Sequence, residues 1–307
     1  MDNTALWFRQ FGHPEDVLTL ESHPLPPRKP GMLRVQMRYS PVNPSDLIPI
    51  TGAYRHRVLP PKIAGYEGMG VVVEADNRGL PGLRVLPLRG EGTWQRFVDC
   101  DASLAVPVPD EIPDLLAARG YINPLAAWAM LNQWPVRGKT VLLTAANSSC
   151  AGLLAQWARR QGAKHIFGVY RSAVAEQSGI VPLESDDFTG LAEAARRSDV
   201  VFDAVGGELA TTLLRHLPAD ADFVSYGLLS GQPYQLNGSR VNPRRFHLRD
   251  TLATTRPDVW QQWFKGIWTL LPESQLPEVS LFALEEWREA LREFTVPGRR
   301  RKPVLAF

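Results

Sequence analysis

The sequence predicts an α/β protein: a β-rich first third, then a doubly wound parallel sheet. Three observations predict it. Before about residue 110 the apolar runs are short and alternate with polar residues, the period of a half-buried strand. Those runs are separated by Pro and Gly clusters, at 24–30, 41–44, 60–61 and 80–82, where the chain must turn. From about residue 120, β-branched runs alternate with helix-like segments at the spacing of βαβ units. With 307 residues, roughly two domains are expected.

The elements follow in order. Residues 5–11 read as a first strand. Residues 33–37, Leu-Arg-Val-Gln-Met, alternate as a second. Residues 68–74 form a buried strand entered through a glycine turn. Residues 124–133 are apolar enough for a buried helix, with Pro124 in its first turn. Residues 139–145 are a candidate parallel strand, and 151–161 a helix closed by Gly162 as its C′ residue. Strands at 164–169, 198–204 and 222–226 alternate with helices at 188–197 and 208–217. A Trp-rich helix follows residue 256. A strand at 279–282, an amphipathic helix at 285–294 and a strand at 303–307 end the chain. That last β-α-β does not extend the parallel order already laid down, so it is expected to return to the β-rich domain.

Composition excludes several classes. Lys and Arg total 34 against 32 for Asp and Glu, a net charge of +2, too small an excess to argue for a nucleic-acid partner. No apolar run approaches the ~18 residues that a membrane helix needs. The N-terminus has no signal or transit character, so a cytoplasmic location is expected. The two cysteines, Cys100 and Cys150, cannot build a disulfide framework or a multi-cysteine zinc site.

The first chemical signal is the turn after the 139–145 strand, Ala145-Ala146-Asn147-Ser148-Ser149-Cys150-Ala151-Gly152. It opens directly into a helix, where a dinucleotide fold exposes amides to a pyrophosphate. Small residues take the places of the usual glycines, and a tight βα turn of another parallel-sheet protein is the alternative. The second signal is Tyr170-Arg171-Ser172 at the end of the next strand. An NAD site wants a carboxylate there for the ribose hydroxyl. Arg171 and Ser172 instead suit a 2′-phosphate, unless Arg171 is only a solvated surface residue.

Several segments together resemble one family. They are Tyr39-Ser40-Pro41-Val42-Asn43-Pro44-Ser45-Asp46, Thr51-Gly52-Ala53-Tyr54, Ala64-Gly65-Tyr66-Glu67-Gly68, Gly90-Glu91-Gly92-Thr93-Trp94 and Ile122-Asn123-Pro124-Leu125. Asp203-Ala204-Val205-Gly206-Gly207, Tyr226-Gly227-Leu228-Leu229-Ser230 and the ending at Lys302-Pro303-Val304 continue the match. The chain resembles the zinc-free medium-chain dehydrogenase/reductases, most closely the trans-2-enoyl-thioester reductases and next the quinone oxidoreductases.

The resemblance implies a Rossmann domain at 116–256. A GroES-like β-barrel catalytic domain would be built from both chain ends, 1–115 and 257–307. It implies NADPH and a homodimer. Cofactor contacts carry over onto Asn123, Asn147, Ser148, Ser149, Cys150, Arg171, Ser172, Tyr226, Gly227, Leu228, Leu229 and Lys302. Two departures stand out. Ala151 replaces a glycine of the phosphate turn, and its methyl is expected to crowd the pyrophosphate. Residues 249–254 replace the aromatic segment that usually follows the last Rossmann strand.

The zinc enzymes of the superfamily use a Cys and a His where this chain has Pro44 and Tyr66, so no metal is expected. The six histidines form no close ligand pair and read as structural or surface residues. Without a metal, another group must donate to the oxygen that becomes negative when hydride attacks an α,β-unsaturated thioester. Tyr54 matches the family's tyrosine and is the expected catalytic donor; packing against the nicotinamide is its alternative role. Asn43, Asp46 and Trp94 are expected to shape the substrate pocket. The basic ending 299–302 reads as a solvated face rather than a coenzyme A site, and Cys150 as the filler of a small-residue slot. The substrate is thus an enoyl thioester, alternatively a quinone or a small activated alkene. A non-catalytic NADPH-binding protein is the third reading.

Overall fold

The computed structural model describes residues 2–88, 92–171 and 179–307. The chain divides into two compact units: Met1–Ile122 with Pro257–Pro272 and Pro277–Phe307, and Asn123–Arg256 with Glu273–Leu276.

The second unit is built on a parallel sheet. Its strand order is Val181–Glu184, His165–Tyr170, Thr140–Leu143, Val200–Asp203, Asp222–Ser225, Arg244–Arg245. The chain starts in the middle at Thr140, moves outward to one side, then returns and builds the other. That reversal creates a switch point between the Thr140–Leu143 and Val200–Asp203 strands, where α/β sheets bind ligands beyond their carboxyl ends. Every residue of those two strands is buried, because helices cover both faces of a parallel sheet. Their apolar side chains meet helices Phe188–Arg196 and Gly207–His216 in a core that includes Leu142, Phe167, Leu191, Val201, Leu213 and Phe223. The Val181–Glu184 strand is mostly exposed. Its sequence, Val-Pro-Leu-Glu, has no alternation to betray it, and Pro182 is tolerated because the strand lies at the sheet edge.

The first unit is built on two sheets, with helices such as Pro257–Leu270 and Trp287–Thr295 beside them. Its larger sheet runs Glu278–Ala283, Arg301–Ala306, Met32–Pro41, Met69–Glu74, Arg84–Leu86, Val106–Pro107, with Phe97–Asp101 also paired to Met32–Pro41. A smaller antiparallel sheet joins Leu18–Pro24, Asp2–Phe8 and Lys62–Ile63. The ten-residue Met32–Pro41 strand organises the unit. It is long enough to pair with Phe97–Asp101 near its start and Arg301–Ala306 near its end. Glu278–Ala283 and Arg301–Ala306 are parallel and joined through helix Trp287–Thr295. The closing β-α-β therefore returns to the β-rich unit, as its failure to extend the parallel order predicted. Leu6, Phe8, Val42, Ile50, Trp94, Leu284, Trp287 and Leu305 share one core, so both chain ends bury apolar surface against each other. The segment 249–254 lies in a helix, Leu248–Thr254, that buries Leu252.

Gly65 is held tightly in this unit. Its φ is +88°, and an added Cβ would lie 2.3 Å from Trp94 Cδ1 and 2.6 Å from Thr93 Oγ1. Gly65→Ala combines a left-handed backbone penalty with overpacking and should cost about 2 to 4 kcal/mol. Urea unfolding should show a lower midpoint at an unchanged m-value. A loss below about 0.5 kcal/mol would mean that Trp94 can give way.

Candidate active site

In the first unit a polar cluster lies buried under the end of the Met32–Pro41 strand. The chain leaves that strand, and Val42 N donates to Pro303 O at 3.0 Å. Asn43 then caps the short helix Pro44–Leu47, and Asp46 Oδ2 accepts from Asn43 N at 2.7 Å. Asp46 Oδ1 accepts from Tyr66 N at 2.8 Å, which fixes the segment that carries Glu67. Glu67 Oε1 accepts from Tyr121 N and Ile122 N, both at 2.9 Å, and Oε2 from Asn43 Nδ2 at 2.7 Å. Lys302 Nζ donates to Asn43 Oδ1 at 2.6 Å. The Glu67 carbonyl is held by the Ser40 and Thr93 hydroxyls. Asn43, Asp46 and Glu67 are each 1% exposed and Lys302 5%.

Burial sets the electrostatics of this cluster. It pushes the Asp46 carboxyl up to about 7, opposed by the Asn43 amide. It also raises Glu67, opposed by the Lys302 charge. It pulls the Lys302 ammonium down to about 8, against the pull of Glu67. Both Glu67 oxygens accept and neither donates, the geometry of an ionised carboxylate.

Tyr54 follows the left-handed Gly52, at φ +85°, and is half-buried. Its carbonyl accepts from Arg57 N and Val58 N at 2.8 and 2.9 Å, and its ring meets His56 edge-on at 6.1 Å between centroids. Trp94 is fully buried in the apolar core. The structure therefore brings Asn43, Asp46 and Lys302 together, sets Tyr54 on a turn, and gives Trp94 to the core.

In the second unit the turn after the Thr140–Leu143 strand runs directly into a helix. Ala145 takes φ +48°, and the chain enters helix Ser149–Arg160 with Ser148 as N-cap, its Oγ accepting from Ala151 N at 3.3 Å. Among the described residues the Ser149 and Cys150 amides meet no acceptor. Asn147 is exposed. The Asn123 carbonyl lies 4.0 Å from Cys150 Sγ. Tyr226 follows the Asp222–Ser225 strand, and its hydroxyl, beside Ser148 and Cys150, meets no partner in hydrogen-bonding geometry among the described residues. Burial raises that phenol well above its ordinary range. Gly227 runs so close to Ala204 that a Cβ would sit 2.8 Å from its carbonyl oxygen, and Leu228 and Leu229 are exposed.

Arg171 is exposed at the end of His165–Tyr170, with no carboxylate partner among the described residues. Ser172 lies outside the described residues, as do Gly90 and Glu91 of the glycine-rich match. Free amides at a helix N-terminus, an unpartnered buried hydroxyl and open space beside Gly152 suit a dinucleotide phosphate. Ala151 is fully buried. Its methyl packs inside the unit.

Two residues of consequence had no role assigned from sequence. Glu67 stood inside a matched glycine segment. Its position as a lone carboxylate in an apolar run was the available signal. Asp203 ends a fully apolar strand, and its carboxylate takes Thr144 Oγ1 at 2.7 Å, Val205 N at 3.1 Å and Gly206 N at 2.9 Å. It ties together the loops on either side of the switch point. Among the described residues no group of three His, Cys, Asp or Glu is placed to hold a metal, and no helix is long and apolar enough to cross a membrane.

The second unit carries a doubly wound sheet with a turn suited to phosphate, and the first draws on both chain ends, an architecture shared by dinucleotide-dependent oxidoreductases. Residues 29–110 match the alcohol dehydrogenase GroES-like domain. A Bacillus thuringiensis structure named as an NADPH:quinone reductase is 32% identical, with a TM-score of 0.92 over 100% of this chain and 99% of that one. A mycobacterial structure complexed with NADPH is 22% identical, with a TM-score of 0.86 over 99% and 100%. The mitochondrial enoyl-[acyl-carrier-protein] reductase of Xenopus tropicalis is 26% identical over 98% of this chain and 94% of its own. The chain belongs to the medium-chain dehydrogenase/reductase superfamily.

Burial pushes both thiols, Cys100 and Cys150, up to about 12, so neither forms a reactive thiolate near neutrality. A thiol reagent at pH 8 should titrate no fast thiol in the native protein and two after denaturation. Rapid native labelling of Cys150 would contradict its placement.

Proposed function

We propose that the protein reduces the carbon–carbon double bond of an α,β-unsaturated thioester, using NADPH and no metal. The observation that carries this reading is the match to an enoyl reductase along 98% of the chain. NADPH, when bound, supplies the hydride to the β-carbon. The chain's residues do the rest. The helix N-terminus at Ser149 and the Tyr226 hydroxyl receive phosphate, and Arg171 pairs with the 2′-phosphate in place of the carboxylate of an NAD site. Asn123 and Lys302 orient the cofactor, while Asn43 and Asp46 shape the pocket. Tyr54 donates a hydrogen bond to the thioester oxygen as negative charge gathers there, and the enolate then takes a proton from water at its α-carbon to give the saturated thioester. Pro44 and Tyr66 stand at the superfamily's zinc-ligand positions and offer no ligand of the usual type, so that donor has to be organic.

Quinone reduction is the second reading, favoured by the name of the 32% identical Bacillus thuringiensis structure. Tyr54 separates the two. Tyr54→Phe keeps the ring and removes the donor, so kcat on an enoyl thioester such as crotonyl-CoA should fall by about 10² or more, with NADPH affinity little changed. A quinone accepts hydride over a low barrier and is protonated by water, so its turnover should hardly respond. The enoyl assay should be unchanged by a chelator. Full enoyl activity in the variant would remove Tyr54 from the mechanism, and a wild type active only on quinones would select the second reading.

Cofactor choice is tested at Arg171. A charge-assisted contact contributes roughly 1.5 to 3 kcal/mol. Arg171→Ala should therefore weaken NADPH binding by about one to two orders of magnitude while leaving NADH nearly unaffected. Equal use of NADH and NADPH by the wild type would refute the phosphate contact.

A further inference from the structure

The buried cluster contains a group that the proposed reaction does not use. Glu67 touches none of the reacting groups assigned above, yet it is the only member bonded both to Asn43 and to the amides that open the Ile122–Gln133 helix. We propose that Glu67 is a positioning residue: its carboxylate orients the Asn43 amide so that Oδ1 faces Lys302, and thereby holds Lys302 fixed and charged for the cofactor. The inference rests on the reading of Lys302 as a cofactor contact.

Donors and acceptors fix the arrangement. An amide has one donating and one accepting end. Because Glu67 can only accept, it takes the Asn43 Nδ2 end at 2.7 Å. The Oδ1 end then has one direction left, toward Lys302 Nζ at 2.6 Å. If Asn43 turned over, its NH₂ would face an ammonium, and two donors would meet in a buried site at a cost neither could recover from water. The charges follow the same order. Four charged or titratable groups act on Lys302: Glu67 and Asp46 favour its charge, while Arg299 and Arg119 oppose it, and burial opposes it most. Glu67 is the largest of the favourable ones. Two neighbouring cations of the chain's ending have partners of their own. Arg299 stacks on Phe294 at 4.3 Å, and Arg301 pairs with Glu278 at 3.2 Å.

Glu67→Gln is nearly isosteric. Its remaining oxygen can serve the Tyr121 and Ile122 amides, so the helix start keeps an acceptor. Its NH₂, however, now faces Asn43. Asn43 must turn over or lose the bond, and Lys302 loses its main counter-charge. The loss of one close opposite charge moves a titration by about one to three units.

The test follows NADPH affinity from about pH 6 to about pH 10 by nucleotide fluorescence, a range that brackets the titration of a lowered lysine. In the wild type, affinity should weaken as pH rises through about 8, where Lys302 gives up its proton. In Glu67→Gln the same weakening should move at least about one unit lower. In Glu67→Gln/Lys302→Met it should vanish, and the loss of melting temperature should be smaller than the sum of the two single losses, because the two charges leave together. Should Glu67→Gln alone fail to fold, the double variant carries the test, and a double variant that also fails overturns the proposal. An unmoved pH profile, or strictly additive melting losses, overturns it too. A wild type that binds no NADPH instead removes the cofactor reading of Lys302, and the positioning role with it. The melting temperatures would still report whether Glu67 and Lys302 are coupled.

Discussion

A lysine taken out of water must find an acceptor and a counter-charge, and Lys302 finds them at the opposite end of the sequence. Asn43 gives it an oxygen and Glu67, through Asn43, a negative charge. The same few atoms join the start of helix Pro44–Leu47, the Gly65–Gly68 segment, the entry to helix Ile122–Gln133 and the last strand. Apolar packing brings these segments near one another, but it is not directional. The hydrogen bonds are what select one arrangement, since each has a single geometry that leaves no buried donor or acceptor unmet.

The cluster also has an electrostatic cost. Asp46 and Lys302 are shifted in opposite directions by the same burial, up to about 7 and down to about 8. A carboxyl raised on folding favours the folded state at low pH and ceases to do so as pH rises through its folded value. An ammonium lowered on folding favours the folded state at high pH and ceases to do so as pH falls through its folded value. The two losses meet in the interval around neutrality, so the cluster adds least to stability where the protein works. Its retention is then a matter of geometry more than of stability.

Much of the fold was legible because it depends on periodicity. The buried strands at 140–143 and 200–203, the Gly162 helix stop and the return of the last β-α-β all follow from burial on two faces, from left-handed backbone or from failure to extend a parallel order. The Val181–Glu184 strand was not legible, since an exposed edge imposes no pattern on its side chains. The nucleotide turn could be read from strand, small residues and helix in succession, whereas the inward packing of Ala151 could not, because the direction of a methyl is set by the helix phase. Glu67 and Asp203 were seen and not understood. A buried carboxylate announces itself only through partners, and those of Glu67 are backbone amides 54 and 55 residues away and an asparagine 24 residues away. Spacing rules do not reach that far.

The placement of the final strand also bears on how the chain acquires its structure. Arg301–Ala306 pairs with Met32–Pro41, and Lys302 bonds to Asn43 across 259 positions. The second unit draws almost all its residues from one continuous stretch and can close over mainly local βαβ contacts. The first unit has a gap in its sheet until Arg301–Ala306 has been made. Until then the free edge of Met32–Pro41 and the Oδ1 acceptor of Asn43 wait for a partner not yet made. Long-range pairing of this kind slows folding and leaves strand edges open to wrong partners in the meantime. All six strands of the parallel sheet precede residue 301, so a chain truncated there still carries that sheet complete, while the larger sheet of the first unit lacks the strand that joins Met32–Pro41 to Glu278–Ala283.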